Sequence, residues 1–322
     1  MKKILVFIFF ITATANALII PEDLEPDYIL KASASSTDVV YLNGKIYVGT
    51  ELGTVEIFDI LQKKEIKKIT LPQILNFFEE YYSPKVYSVD VTPDEKRILI
   101  LSEGQEGFSS LFIYENEKLK KILSEKNKMI IKRAKFVNKN LALLGLISDE
   151  LILFDIKNKK QIYRKQISTS PFSAFVLSPD KNKVAVATEG GIIYLVDTKT
   201  GKLERKIENT HVDKIFSIDY KDSKIISGGR DRRVYVHDLN KKISIRFNAK
   251  FFVYAVGLSP SAKFGAYQLN EKGHIAIIDL KTNKRVYTLK GHKSSLTKIL
   301  FIDEKNLIST EESPRIYFWR LQ

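Results

Sequence analysis

A short run of branched and aromatic residues occurs seven times along this chain, and each run closes in a similar way. The runs are Thr54–Asp59, Ser110–Glu115, Glu150–Asp155, Ile192–Asp197, Val234–Asp238, Ile275–Asp279 and Ile316–Arg320. Their next-to-last residues are Phe58, Tyr114, Phe154, Val196, His237, Ile278 and Trp319, so by subtraction the last five steps are 40, 42, 41, 41 and 41 residues. A strand-like segment returning at a fixed period marks one supersecondary unit, and such a unit must stack on copies of itself to bury its apolar face.

Each unit divides into four strand candidates. In the fourth, Phe172–Leu177 leads to the turn Ser178-Pro179-Asp180-Lys181, then to Lys183–Ala187, Gly190-Gly191, the run ending at Asp197, the turn Thr198–Gly201 and a last strand, Lys202–Ile207. Proline presets a turn backbone and Asp bonds its own chain there, which gives these breaks a mechanism. Related turns stand at Thr92-Pro93-Asp94 and Ser259-Pro260-Ser261. Four short antiparallel strands per unit of ~40 residues describe a propeller blade, so the expected fold is all-β, a seven-bladed β-propeller. The last unit ends three residues after Trp319 and lacks a fourth strand. Tyr28–Ala32 is a strand candidate ahead of the first complete unit, and it is expected to close the ring by completing the last blade.

Ile226–Asp238, with its Gly228-Gly229-Arg230-Asp231 turn, resembles the second half of a WD repeat, with His237 where Trp is usual. Gly291-His292 resembles the Gly-His start of such a repeat, and Trp319 stands at its Trp position. Tyr194–Lys202 is similar to the related YVTN class of bacterial propellers. The resemblance implies hydrogen bonds joining His, Ser, Asp and Trp within a blade. His211, Ser227 and Asp231 match in the fifth unit; His292, Ser309 and Trp319 match in the seventh, where Ser313 replaces Asp. These residues are read as scaffold rather than as chemistry.

The amino terminus reads as an export signal. Lys2 and Lys3 precede the apolar run Ile4–Ile11 and the small-x-small site Ala15-Asn16-Ala17. That pattern predicts a cleaved signal peptide over residues 1–17, a propeller over 18–322 and a periplasmic location. The apolar run falls short of the ~20 residues a membrane-spanning helix needs. There are no cysteines, hence no disulfide and no thiol for lipid attachment. Of the formal charge of +14, two units belong to Lys2 and Lys3, leaving 14 − 2 = +12. Such a surplus favours acidic partners. Its lysines nonetheless cluster where outer strands are expected, at Lys63–Lys68, Lys118–Lys121, Lys157–Lys160 and Lys241-Lys242, and lysine on an edge strand also blocks edge-to-edge pairing. Export argues against a nucleic-acid partner.

One spacing is irregular. From Phe58 to Tyr114 is 56 residues, and the excess lies around Leu71–Pro84. Ile74, Phe77, Phe78 and Tyr81 fall at i, i+3, i+4 and i+7, which predicts a helical insertion over 72–83 between Pro72 and Pro84. In WD-type propellers the loop between blades lies on the usual partner-binding face, and the turn Arg230-Asp231-Arg232-Arg233 is expected to open onto the same face. Aromatics and arginine are enriched at binding hot spots, so Phe77, Phe78, Tyr81, Tyr82, Arg230, Arg232 and Arg233 are the candidate docking residues. The alternative is a lid whose apolar stripe packs over the central channel.

Catalysis finds little support. The four histidines are scattered, and there is no HExxH, CxxC or G-x-S-x-G pattern. No metal and no cofactor are expected. Asp90 and Asp219 occupy comparable places in inner strands and can face the channel, where two carboxylates suit Ca²⁺ or a lactonase-like hydrolase. The leading expectation is a monomeric, non-catalytic platform for protein partners. It resembles the NapL-type accessory propellers of bacterial periplasmic nitrate reductase systems, which implies a role in assembly or maturation of that enzyme. The alternatives are an envelope-assembly scaffold similar to BamB-type propellers, and the propeller hydrolase.

Overall fold

The computed structural model describes residues 20–322. The expected signal peptide over 1–17 lies outside the described residues. Six four-stranded sheets and one five-stranded sheet are arranged as seven blades, each built on antiparallel strands. From inner to outer strand, blade 1 runs from Ser36–Leu42 to Lys64–Thr70, blade 2 from Val86–Val91 to Lys118–Leu123, and blade 3 from Ile131–Phe136 to Lys160–Gln166. Blades 4, 5 and 6 start at Phe172–Leu177, Ile215–Lys221 and Val256–Leu258 and end at Leu203–Ile207, Ile243–Asn248 and Lys284–Leu289. Blade 7 contributes Leu296–Phe301, Asn306–Glu311 and Arg315–Arg320. Each inner strand packs on the next around the full circle, including that of blade 7 on that of blade 1. The ring therefore closes as a seven-bladed β-propeller.

The core follows from this wiring. It is divided into seven apolar clusters, one at each blade-to-blade interface. Second and third strands are buried on both faces, which is why they read as continuous apolar runs rather than alternating ones. Glycine in a second strand lets a neighbouring blade approach closely. A Cβ on Gly145 would come within 2.8 Å of Phe172, and one on Gly228 within 2.4 Å of Val253. The lysine-rich segments lie in or beside the exposed outer strands.

The repeated terminal Asp has a local cause. After the third strand the carboxylates of Asp59, Asp155, Asp197, Asp238 and Asp279 each accept a backbone N–H two or three residues on, folding the hairpin to the outer strand. These turns and the first hairpin turns share one face. The inter-blade connections and the turns between second and third strands share the other.

Closure uses two strands. Tyr28–Lys31 pairs antiparallel with Arg315–Arg320 and is the fourth strand of blade 7, as expected. Glu22–Leu24 pairs parallel with Lys284–Leu289, adding a fifth strand to blade 6 that the sequence reading did not anticipate. The expected helix over 72–83 is not formed. Ile74–Leu75 and Tyr81–Tyr82 make a small antiparallel hairpin instead. Asn76 decides this, because its side-chain oxygen accepts the N–H groups of Phe78 and Glu80 at 2.8 and 2.9 Å and so folds a tight turn. Only Ile74 of the supposed stripe is buried, so the segment is not an apolar lid.

Candidate functional site

Two blade-internal networks hold the inter-blade face. In blade 5, His211 bonds Ser227 Oγ through Nε2 at 2.9 Å and Asp231 Oδ1 through Nδ1 at 3.0 Å. His237 continues the chain, with Ser227 at 3.4 Å and Ser244 at 2.8 Å. In blade 7, Ser309 Oγ joins His292 Nε2 at 2.9 Å and receives the Trp319 indole N–H at 2.7 Å. Ser313 does not take the missing Asp role. Glu311, fully buried, accepts the backbone N–H groups of Lys293 and Ser294, and Arg315 and Tyr317 donate to its other oxygen. Burial alone would raise the Glu311 pKa, yet hydrogen bonds from Lys293, Ser313, Arg315 and Ser294 bring it down to about 2.

The histidines give these networks a pH signature. Burial pushes His237 down to about 3 and His292 down to about 4, so both are neutral when folded. The unfolded chain takes up both protons near pH 6.5, so stability is intact above that value and falls as pH drops below it. Burial raises Asp149 to about 6, against hydrogen bonds from Ser168, and this acts oppositely: its penalty is relieved as pH falls below 6. Two histidines against one carboxylate give an expected net loss of about 2 to 3 kcal/mol between pH 7 and pH 5. Urea unfolding at the two pH values measures it. His237→Trp, which restores an indole at that position, should flatten the slope by about one proton. An unaltered slope would contradict the assignment.

The candidate docking residues divide between two places on the inter-blade face. Phe77, Phe78 and Tyr81 stand out at the hairpin tip, 95%, 78% and 70% exposed. Phe77 and Phe78 meet edge to face at 5.8 Å. Tyr82 turns back to blade 2, where burial and the Glu103 carboxylate push its phenol up to about 12. Arg230, Arg232 and Arg233 belong to blade 5: the first two lie in the turn between its second and third strands, and Arg233 opens the third strand. Arg230 and Arg232 are exposed, whereas Arg233 is partly buried and donates to the Thr210 carbonyl at 3.1 Å. The hairpin and the arginine turn share a face by wiring but sit on different blades.

A second aromatic group lies beside the arginines, and the sequence reading missed it. Phe216, Phe251, Phe252 and Tyr254 form one cluster, with ring centroids 4.9 to 6.5 Å apart. Phe216 lies at the start of the inner strand of blade 5, and the other three lie in the connection leaving that blade. The arginine turn is fastened between those segments: Arg230 N–H donates to the Lys214 carbonyl, Ala249 N–H to that of Arg232, and Val253 N–H to that of Gly229. The signal was available in Phe251-Phe252-Val253-Tyr254, an aromatic-rich connection between two strands.

The other candidate site is the central channel. Opposite the third residue of the second strand stand Asp90, Lys135 and Asp219. Opposite the fifth stand Asp38, Ser88, Arg133, Ser217 and Lys298, one rung earlier along the same channel-facing side. Asp90 Oδ2 accepts Phe136 N–H at 2.7 Å and Asp219 Oδ2 accepts Leu258 N–H at 2.9 Å, so each carboxylate latches its blade to the next. Among the described residues no three His, Cys, Asp or Glu converge to hold a metal. The centre is Asp38, which sequence reading passed over. Its carboxylate lies 2.9 Å from Lys135 Nζ, 3.3 Å from Lys298 Nζ and 4.0 Å from Arg133, and accepts Val89 N–H at 3.1 Å. Burial would raise its pKa, but the three cations hold it far below the carboxylate range.

The structure is similar to the β-propeller domain of Cps50 (Swd1) from Myceliophteria thermophila, with a TM-score of 0.74 at 15% identity, over 92% of this chain and 99% of that one. In sequence the chain is 24% identical over 263 residues to WD repeat-containing protein 1 of Rattus norvegicus, and 24% identical over 263 residues to that of Gallus gallus. The fold and these relatives agree. The chain is a β-propeller similar in sequence to WD-repeat proteins. No protein-family model matches the chain. The matches cover 76% and 77% of this chain but only 40% and 41% of those relatives, so this propeller spans about two fifths of their length.

Proposed function

We propose that this propeller is a non-catalytic platform that binds a protein partner on its inter-blade face. The supporting observation is the exposed Arg230 and Arg232 turn, fastened beside the Phe216–Tyr254 aromatic cluster. Arginine beside large aromatic surface is the composition of binding hot spots, and the backbone bonds on both sides of the turn pre-organise it. The hairpin aromatics Phe77, Phe78 and Tyr81 extend the same face. The amino-terminal pattern of charge, apolar run and small-x-small site supports export to the periplasm. There the platform serves assembly or maturation of a periplasmic nitrate reductase, as a NapL-type accessory factor without a redox centre.

Affinity capture from the envelope fraction of the producing cell tests both levels. Recovery of nitrate reductase components supports the accessory role; recovery of outer-membrane assembly proteins replaces it with the envelope-scaffold reading. With the captured partner in hand, Arg230→Ala/Phe252→Ala should weaken binding by at least about tenfold, and Phe77→Ala/Phe78→Ala should weaken it less, both with unchanged melting temperature. Full affinity in the folded Arg230→Ala/Phe252→Ala variant would move the docking surface elsewhere.

A further inference from the structure

The channel opens, at the ends of the inner strands, into a cavity of about 410 Å³ on the face opposite the arginine turn. Its walls carry Arg133, Lys135, Lys181, Lys221 and Lys298 against Asp90 and Asp219, with Asp38 at the centre of the cations. Counting all of these gives five positive groups and three negative ones. The three carboxylates are already engaged, Asp90 and Asp219 with backbone N–H groups and Asp38 with three cations. The cations are not saturated. A lysine ammonium has three donors, and Lys298 Nζ spends one of them, on Asp38 Oδ1. Buried Arg133 Nε has no hydrogen-bond partner, and its guanidinium reaches Asp38 only at 4.0 Å. A buried guanidinium donor without an acceptor is costly, which makes an acceptor supplied from the cavity favourable.

We propose that this cavity is a binding site for a small dianion bearing carboxylate or phosphate-type oxygens, held by Arg133, Lys298 and Lys135. Two surplus positive charges match a dianion. The planar fork of Arg133 suits two anionic oxygens, and Lys298 and Lys135 supply point charges beside it. Ser217, on the same rung as Arg133 and part of the cavity wall, adds a hydroxyl. The charge surplus also shows in Lys298, whose pKa falls to about 8: burial lowers it, and Arg133 and Lys135 work against the support it receives from Asp38. Lys181 and Lys221 lie toward the mouth, where they attract an incoming anion.

Sulfate, inorganic phosphate and succinate are the probes, each compared with sodium chloride at matched ionic strength on the whole protein at pH 7. At least one dianion should bind saturably by calorimetry and raise the melting temperature more than chloride does. Arg133→Gln leaves Asp38 paired with Lys135 and Lys298 and should weaken binding by at least about tenfold. If that variant does not fold, Lys221→Ser at the mouth should slow or weaken capture measurably. No saturable heat with any probe, a melting shift equal to that of chloride, or unchanged affinity in a folded Arg133→Gln protein would overturn the site. Preference for sulfate and phosphate over succinate assigns the tetrahedral oxyanions, and the reverse order assigns dicarboxylates.

Discussion

Truncation through Ser33 should lower the melting temperature by roughly 10 °C or more, because it opens the ring. The segment ties three blades together. Tyr28–Lys31 is the outer strand of blade 7, and flanking bonds from Asp27 N–H to the Phe318 carbonyl and from Ala32 N–H to the Pro314 carbonyl extend that ladder. Tyr28 stacks on Phe318 at 4.2 Å while its hydroxyl donates to the Ile60 carbonyl of blade 1 at 3.3 Å. Glu22–Leu24 covers the outer edge of blade 6, with Asp23 paired to Lys290. Ser33 donates its backbone N–H and its hydroxyl to Glu56, a fully buried carboxylate of blade 1. Losing these leaves blade 7 with three strands and Glu56 stripped of two donors. Hydrogen bonds at about 1 kcal/mol each, together with the buried carboxylate, put the loss at about 5 kcal/mol or more, a large part of the stability of an ordinary domain. Hydrogen exchange should accelerate first in Asn306–Glu311 and Arg315–Arg320. A truncated chain that melts at the wild-type temperature would refute the clasp. Ser33→Ala isolates the Glu56 contribution and should cost about 1 to 3 kcal/mol.

The scaffold was legible because one physical device repeats. Five of the seven third strands end in an Asp that folds the next hairpin: Asp59, Asp155, Asp197, Asp238 and Asp279 do so with the same bond to the following backbone. Period and turn chemistry are local, and local facts survive in a single sequence. The hairpin at 74–82 was misread for the same reason. Ile74, Phe77, Phe78 and Tyr81 carry helical spacing, but nothing local distinguishes a stripe that will be buried from one left in solvent. One Asn side chain bonded to Phe78 and Glu80 outweighed the pattern. Glu311 was missed because the WD pattern places its carboxylate after the serine at a fixed offset; a longer side chain two residues before Ser313 reaches the N–H of Lys293 after His292, as Asp231 reaches that of Val212 after His211. Lys290 and Asp23 lie 267 residues apart, and a parallel edge strand that pairs at such a distance leaves no mark on periodicity. The aromatic cluster beside Arg230 likewise depends on a strand and a connection meeting in space. The channel was half legible. Asp90 and Asp219 were found at equivalent places, but Asp38, Arg133 and Lys298 carried the same signal, charged residues alternating with apolar ones in innermost strands whose inward side faces the axis.

Asp38→Ala should destabilise the protein by about 3 to 5 kcal/mol. The reasoning is electrostatic rather than steric. Asp38 is 3% exposed and is the common partner of Lys135, Lys298 and Arg133, contributed by blades 3 and 7 to a carboxylate of blade 1. It also accepts Val89 N–H of blade 2, so four blades meet at one side chain. Removing it leaves three cations facing one another across a narrow channel, with no carboxylate at the centre. Asp38→Asn keeps the shape and the bond from Val89 but removes the charge, so it should recover only the smaller part of the loss. If repulsion among the cations is the cause, Lys298→Met added to Asp38→Asn should restore stability relative to Asp38→Asn alone, although Lys298→Met by itself destabilises wild type. That reversal of sign is the readout that simple loss of packing cannot produce, and denaturant titration of the four proteins measures it. Acid gives an independent check. Because the folded-state pKa of Asp38 is depressed, its contribution is fully present above the unfolded value near 4 and is lost as pH falls below it. The gap between wild type and Asp38→Asn should therefore hold constant from neutral pH down to about 4 and narrow beneath that. Additive behaviour in the double variant, with a gap indifferent to acid, would show that the channel charges are solvated separately and that Asp38 does not bind the blades through them.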